Sequence, residues 1–206
     1  MRQYACSQDR FASDTAAHEM RVLRADGVDR HLRFRKPGCS AYWFDVLTWQ
    51  GTLCIDGDCG TYVFRRLPDM FEFFRTDRGA INPGYWGEKV VSGGRGTGGG
   101  IEEYDADKFR AEIVRQFRDH YRDSGLYHEA LENFRLLRDD VLTYADDGEH
   151  AACQAAYDFA PNGRHLFEDI SSRWFTEYTF HFIWCLRAIA WAIQQWDALQ
   201  EKEQAA

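Results

Sequence analysis

Residues 41–66 read AYWFDVLTWQGTLCIDGDCGTYVFRR, an alternation of apolar and polar side chains interrupted by Asp56-Gly57. That dipeptide is a strong hairpin signal, because both of its residues tolerate the left-handed backbone that a tight turn needs. A two-residue loop there pairs Ile55 with Asp58, Cys54 with Cys59 and Thr52 with Thr61. One face then collects Leu47, Trp49, Leu53, Ile55, Tyr62 and Phe64, which is the pattern of a strand pair lying on a core. Gly51 is expected to form a bulge.

Working outward, residues 18–36, HEMRVLRADGVDRHLRFRK, place two further β-like runs around Asp26-Gly27. A three-residue loop pairs Val22 with Leu32 and Met20 with Phe34, gathering one apolar face. A two-residue loop mixes apolar with charged partners, so the longer loop is preferred. Arg21, Arg33 and Arg35 then lie on the solvated face. Downstream, Pro68-Asp69 opens a short helix, DMFEFFR. Residues 76–104 read as a connector, with a turn at Asn82-Pro83-Gly84 and the glycine run SGGRGTGGG at 92–100.

Beyond the connector the apolar period lengthens from two to about 3.6. Asp105 is placed to cap a helix whose Phe109, Ile113, Phe117 and Tyr121 recur every fourth residue, and Ser124-Gly125 ends it. A second helix carries Leu131, Phe134, Leu137, Val141 and Tyr144, and residues 149–160 are alanine-rich and helical. After a turn at Pro161-Asn162-Gly163 and a short extended run, HLFED, the last helix is expected over about 174–200. Trp174, Tyr178, Phe182, Leu186, Ile189, Ile193 and Trp196 face its core side. The chain is therefore expected to be one α+β domain. It has a β-rich part over 1–75, the connector over 76–104 and a helical part over 105–206, with antiparallel hairpins packed on helices and the long last helix buried. That helix is apolar nearly all round, but Glu177, His181 and Arg187 fall inside it, so a core helix is expected and not a membrane span.

The net charge of −8 is uneven: residues 1–40 carry +3, and residues 102–158 carry seven basic and fifteen acidic side chains. An acidic middle repels phosphate backbones, so direct nucleic-acid binding is disfavoured; it suits a solvated face or a surface that meets a basic protein. The opening MRQYACSQDR has no apolar stretch of a secretory signal, and the six cysteines are scattered. They are expected as free thiols in a reducing cytoplasm.

Motifs for chemistry are sparse. The glycine run lacks the Lys-Ser/Thr of a phosphate loop, leaving Arg95 as a contact residue in a loop. Asp56-Gly57-Asp58 begins like a calcium loop, but Leu67 stands where a bidentate glutamate belongs. Cys54 and Cys59, set opposite each other, with Cys39 and His31 nearby, form half a zinc pattern; the loose C-x4-C spacing favours thiols, and neither metal nor cofactor is expected. His181 one helical turn after Glu177 is the His–carboxylate pair to inspect for acid–base work, although a satisfied core histidine is the preferred reading. No catalytic residue is assigned. Tyr85 and Trp86 are either core plugs or exposed anchors for a partner.

Four segments carry a resemblance: RHLRFRKPG (30–38), FDVLTWQGTLCIDGDCGTYVFRRLPDMFEFFR (44–75), INPGYWGEK (81–89) and FTEYTFHFIWCLRAIAWAIQQWD (175–197). Together they resemble an uncharacterised family of accessory proteins encoded by tailed phages and prophages of Gram-negative bacteria. The resemblance implies a protein made in a bacterial cytoplasm, of the kind that inhibits host defence. It carries over no catalytic residues. The expectation is accordingly a non-enzymatic binder of a host protein, of anti-CRISPR or anti-restriction type. Tyr85, Trp86, Arg95, Asp139, Asp140, Asp146 and Asp147 are its candidate contacts. The alternatives are a small enzyme acting on a nucleotide or defence signal, and a nucleic-acid binder using the basic first hairpin.

Overall fold

Alternating apolar side chains produce five consecutive strands: β1 (Glu19–Asp26), β2 (Asp29–Arg35), β3 (Phe44–Trp49), β4 (Thr52–Gly57) and β5 (Gly60–Arg65). With β6 (Val90–Gly94) they form a six-stranded antiparallel sheet in which every strand lies beside its sequence neighbour. The computed structural model describes residues 4–94, 100–167, 170 and 175–205. By its internal contacts the chain divides into two units, Met1–Ile101 with Tyr178–Ala206, and Glu102–Glu177.

The first hairpin has the expected pairing, Val22 with Leu32 and Met20 with Phe34, with an irregularity between Val22 and Arg24 that absorbs the extra loop residue. The second differs. β4 continues through Asp56-Gly57 and turns at Asp58-Cys59, so Ile55 faces Tyr62, and Cys54 faces Val63 instead of Cys59. The physical reason is a close approach: a Cβ on Gly57 would lie 2.3 Å from the Trp43 carbonyl oxygen, so glycine is needed where the chain passes Trp43. Asp58 and Cys59 make the turn, with Asp58 Oδ2 accepting from the Tyr42 N–H at 2.9 Å. A further hairpin forms at Gln50-Gly51, both with positive φ, joining Trp49 to Thr52 in a tight turn where a bulge was expected.

Alternation sends Leu32, Phe34, Phe44, Val46, Leu53, Ile55, Tyr62 and Phe64 to one face, all fully buried. Leu47 and Trp49 belong to the other face, contrary to expectation. The run Trp43-Phe44-Asp45-Val46-Leu47-Thr48-Trp49 is apolar at both parities, and Phe44 and Val46 take the core positions. The helix covering that face is α7 (Phe180–Gln204), capped by Thr179, whose Oγ1 accepts from the Phe182 N–H at 3.1 Å. Its first half is buried nearly all round, with Trp184 edge-on to Phe44 at 5.6 Å and to Phe11 of α1 (Gln8–Thr15) at 5.2 Å. Below the sheet, Phe74 of α2 (Met70–Phe74) meets Phe64 at 5.0 Å and Trp86 of α3 (Pro83–Gly87) at 4.8 Å. Each such side chain, once buried, contributes about 1.5–3 kcal/mol. Arg187 donates to the Cys6 carbonyl at 3.0 Å and to Gln8 Oε1 at 2.6 Å. Among the described residues no helix is long and apolar enough to cross a membrane.

The α+β class is thus as expected, with the long last helix buried. That helix starts later than expected, because Thr176–Tyr178 form a strand, β8; Trp174 lies outside the described residues. The stretch expected as a bare connector contains α3, β6 and β7 (Glu102–Tyr104). β6 fits because a Cβ on Gly93 would stand 2.4 Å from the Thr61 carbonyl oxygen, so its glycines permit strand contact.

The second unit begins at β7. α4 (Ala106–Ser124) starts at Asp105, which accepts from the Lys108 N–H at 2.9 Å, buries Phe109, Ile113, Phe117 and Tyr121, and ends at left-handed Gly125. α5 (Tyr127–Asp140) buries Leu137 and is followed by buried Val141, but Leu131 is 66% exposed. The position one turn before Leu137 is Asn133, 4% exposed, whose amide donates to the Tyr121 hydroxyl at 2.7 Å. α6 (Glu149–Asp158) contributes Ala152 and Ala156 to the core, with Phe159, Phe167 and Phe175.

Candidate functional site

The acidic candidates lie in the second unit, which carries nine basic and eighteen acidic residues. After α5 the chain makes a 3-10 turn, Leu142–Asp147, and reverses at Gly148, whose φ of 100° suits a residue without a Cβ. α6 then packs on this turn and on α4, and faces the end of α5 across a gap. Its outer alanines, Ala151 and Ala155, are too small to fill the space this leaves. The result is a groove of about 530 Å³, walled by Leu136, Tyr144, Phe159 and Pro161 and rimmed by Asp140, Asp158 and His150.

The rim is partly committed. Asp158 accepts from Gln154 Nε2 at 2.9 Å, whereas the Asp140 carboxylate has no hydrogen-bond or ion-pair partner among the described residues. Leu136 and Tyr144 are 44% and 45% exposed, so the apolar wall faces solvent. A second cavity of about 220 Å³ shares His150 and Gln154 with the first and adds Cys153, Tyr157 and Ile170. His150 and Gln154 therefore form a ridge between two hollows. Burial raises the Cys153 thiol above its ordinary range, with Glu149 adding to the effect.

Of the four aspartates singled out from sequence, Asp140 alone lines the groove. Asp139 pairs with Arg138 at 2.7 Å and Asp146 with Arg110, so their fields are partly cancelled. Asp147 is exposed and makes no such pair among the described residues. Leu136, His150, Phe159 and Pro161 were not foreseen as site residues. The available signal was the alanine-rich helix flanked by Gly148 and Pro161, where small side chains cannot close the gap to a neighbour.

In the first unit, Tyr85 is 44% exposed, packed on Phe73 at 5.5 Å and under Lys89 Nζ at 4.9 Å. Trp86 is only 2% exposed and packs on Phe74, so it is a core plug and not an exposed anchor. Arg95 lies outside the described residues. In the first hairpin Arg24 approaches Asp26 and Asp29, Arg30 holds Asp69 through two bonds of 2.8 Å, and Arg33 holds Asp45, whereas Arg21, opposite Arg33 in the register, and Arg35 are exposed and have no ion-pair partner among the described residues. Glu177 lies on β8 and pairs with Lys108 at 2.8 Å, while His181 lies in the first turn of α7. The helical spacing that suggested an acid–base pair is therefore not formed. Among the described residues no group of three or more His, Cys, Asp or Glu side chains is arranged to hold a metal ion. Searches of family models, curated proteins and solved structures find nothing that matches this chain.

Proposed function

We propose that the protein is a binder that seats a basic, apolar-studded segment of a host protein across the two hollows of the second unit and so inhibits that partner. The observation that carries this reading is the groove itself: exposed Leu136 and Tyr144 beside an unpartnered Asp140, in a unit of net charge −9. Apolar side chains supply contact area, and the acidic rim selects a cationic segment and speeds its approach. Two hollows across one ridge suit an extended segment with side chains on either side. The phage setting implied by the resemblance makes a defence component, such as a CRISPR effector or restriction enzyme, the natural target.

The test is capture of partners from bacterial lysate by the wild-type chain and by Asp140→Lys and Leu136→Asp variants. A protein whose recovery needs both residues, falls with added salt, and loses activity when bound supports the reading. Equal capture by all three chains, each shown to be folded, refutes it.

A further inference from the structure

A third cavity, of about 550 Å³, lies in the first unit between the end of β2 and the start of β3, lined by Arg33, Arg35, Gly38, Cys39, Ser40 and Trp43. Its chemistry is unlike that of the acidic groove. Arg35 is exposed and has no hydrogen-bond or ion-pair partner among the described residues, although Glu19 stands opposite it in the strand register. Arg33 gives Nε and Nη2 to Asp45, leaving Nη1 unengaged. Trp43 is half-buried, and its indole N–H likewise has no partner among the described residues.

The wall is held in place. The Cys39 N–H donates to the Lys36 carbonyl at 3.1 Å, and the Ala41 N–H to Cys39 Sγ at 3.4 Å. Tyr42 adopts φ 57°, a region that side chains other than glycine seldom enter, and it is fixed there from several sides. Its N–H donates to Asp58, its carbonyl meets His18 Nε2 at 2.9 Å, its hydroxyl accepts from Arg10 at 2.7 Å, and its ring stacks on Trp184 at 5.6 Å. This strained residue sets the direction in which Trp43 leaves the loop.

We propose that this cavity binds a nucleoside phosphate, with the phosphate on Arg35 and the free Nη1 of Arg33 and the base against Trp43. Guanidinium groups match phosphate oxygens in paired geometry, and an indole offers a face on which a planar base stacks. A bare phosphate would leave most of the space empty, since the cavity lies in the range of organic ligands, about 300–1,000 Å³. A nucleic-acid strand would need further cations along its path; Arg24 and Arg30 are paired with aspartates, and exposed Arg21 and Lys36 are the cations left for it, so an oligonucleotide is set against AMP in the test. The site lies in the other unit from the acidic groove and stands or falls independently of it.

The experiment is calorimetric titration of the full chain with AMP, beside adenosine, inorganic phosphate and a short single-stranded oligonucleotide. AMP should bind saturably, and adenosine and phosphate each about tenfold more weakly or worse. Arg35→Gln and Trp43→Leu should each weaken AMP by about tenfold or more, the size expected of one charge-assisted bond or one stacked base. Bound AMP should also slow alkylation of Cys39. Arg35→Gln alters an exposed side chain, so it decides the matter even where Trp43→Leu fails to fold. Absence of saturation at millimolar AMP, wild-type affinity in Arg35→Gln, or preference for the oligonucleotide over AMP overturns the proposal.

Discussion

Arg33 grips Asp45 with two guanidinium nitrogens, Nε at 2.9 Å from Oδ1 and Nη2 at 2.8 Å from Oδ2, on the sheet face turned away from α7. His31 Nε2 completes the set at 2.7 Å from Oδ2, and Asp45 is only 5% exposed. Burial opposes the carboxylate's charge, but the bonds from Arg33 and then His31 outweigh it, holding Asp45 below its ordinary range. A lowered pKa in the folded chain means stability that is present above the unfolded value of 3.8 and is lost as pH falls through the folded value. Asp45→Asn should cost about 2 kcal/mol at pH 7. Its deficit against wild type should shrink in melts below pH 3.8, and a deficit that stays constant down to acid pH counts against this account.

Gly57→Ala should destabilise by about 2–3 kcal/mol, the cost of forcing extra volume into a packed site. The added Cβ meets backbone at 2.3 Å, which no rotamer relieves. Urea unfolding measures it, and a loss under about 0.5 kcal/mol would show that β4 passes Trp43 less closely than described.

Thiol labelling should be strongly uneven. Cys6, Cys59 and Cys185 are buried, and desolvation pushes Cys6 up to about 11. Cys54 is half-buried on the open sheet face, yet burial followed by the charge of Asp56 pushes it up to about 11. At pH 8 Cys39 should therefore react well ahead of these four, because the thiolate is the reactive form. Mass spectrometry of briefly alkylated protein identifies the labelled site; Cys54 labelled as fast as Cys39 contradicts the prediction.

Charge reversal should separate the four aspartates. Asp140→Lys should lower the association rate of the captured partner by about tenfold at low salt and less at high salt, since exposed charges act chiefly on encounter. Asp139→Lys, which breaks a surface pair with Arg138, should change it by less than about threefold. Leu136→Ala should act on dissociation instead, as removal of a contact anchor does. Equal effects from Asp139 and Asp140, read by surface-immobilised kinetics, would place the interface elsewhere.

The first hairpin was legible because, of the two loop lengths weighed at Asp26-Gly27, only the longer puts Met20, Val22, Leu32 and Phe34 on a single face. The second was not, because the two registers differ by an even number of residues on each strand. Leu53, Ile55, Tyr62 and Phe64 share a face in both, so periodicity is blind to the choice. What decides it is the contact of Gly57 with Trp43, which no local pattern encodes. α5 was misjudged in a similar way: Asn133 is polar in sequence and buried in fact, because the Tyr121 hydroxyl on α4 receives its amide proton. The acidic groove and the first-unit cavity escaped notice for the same reason. Leu136 and Phe159, or Arg35 and Trp43, become neighbours only when a turn folds one segment back on another.

The return of α7 to the sheet has a consequence for the order of events on the ribosome. Residues 102–177 form their unit from one uninterrupted stretch, whereas β1–β6 must wait for residues 180–204 before their apolar face is covered. Translation emits about 5–20 residues per second, so the middle of the chain has its whole core available while the earlier-made strands still expose theirs. During those seconds Phe34, Phe44, Tyr62 and Phe64 are open to chaperones or to strands of other nascent chains. A ribosome that stalls before Phe180 releases a product in which the second unit can be sound while the sheet is left without its cover.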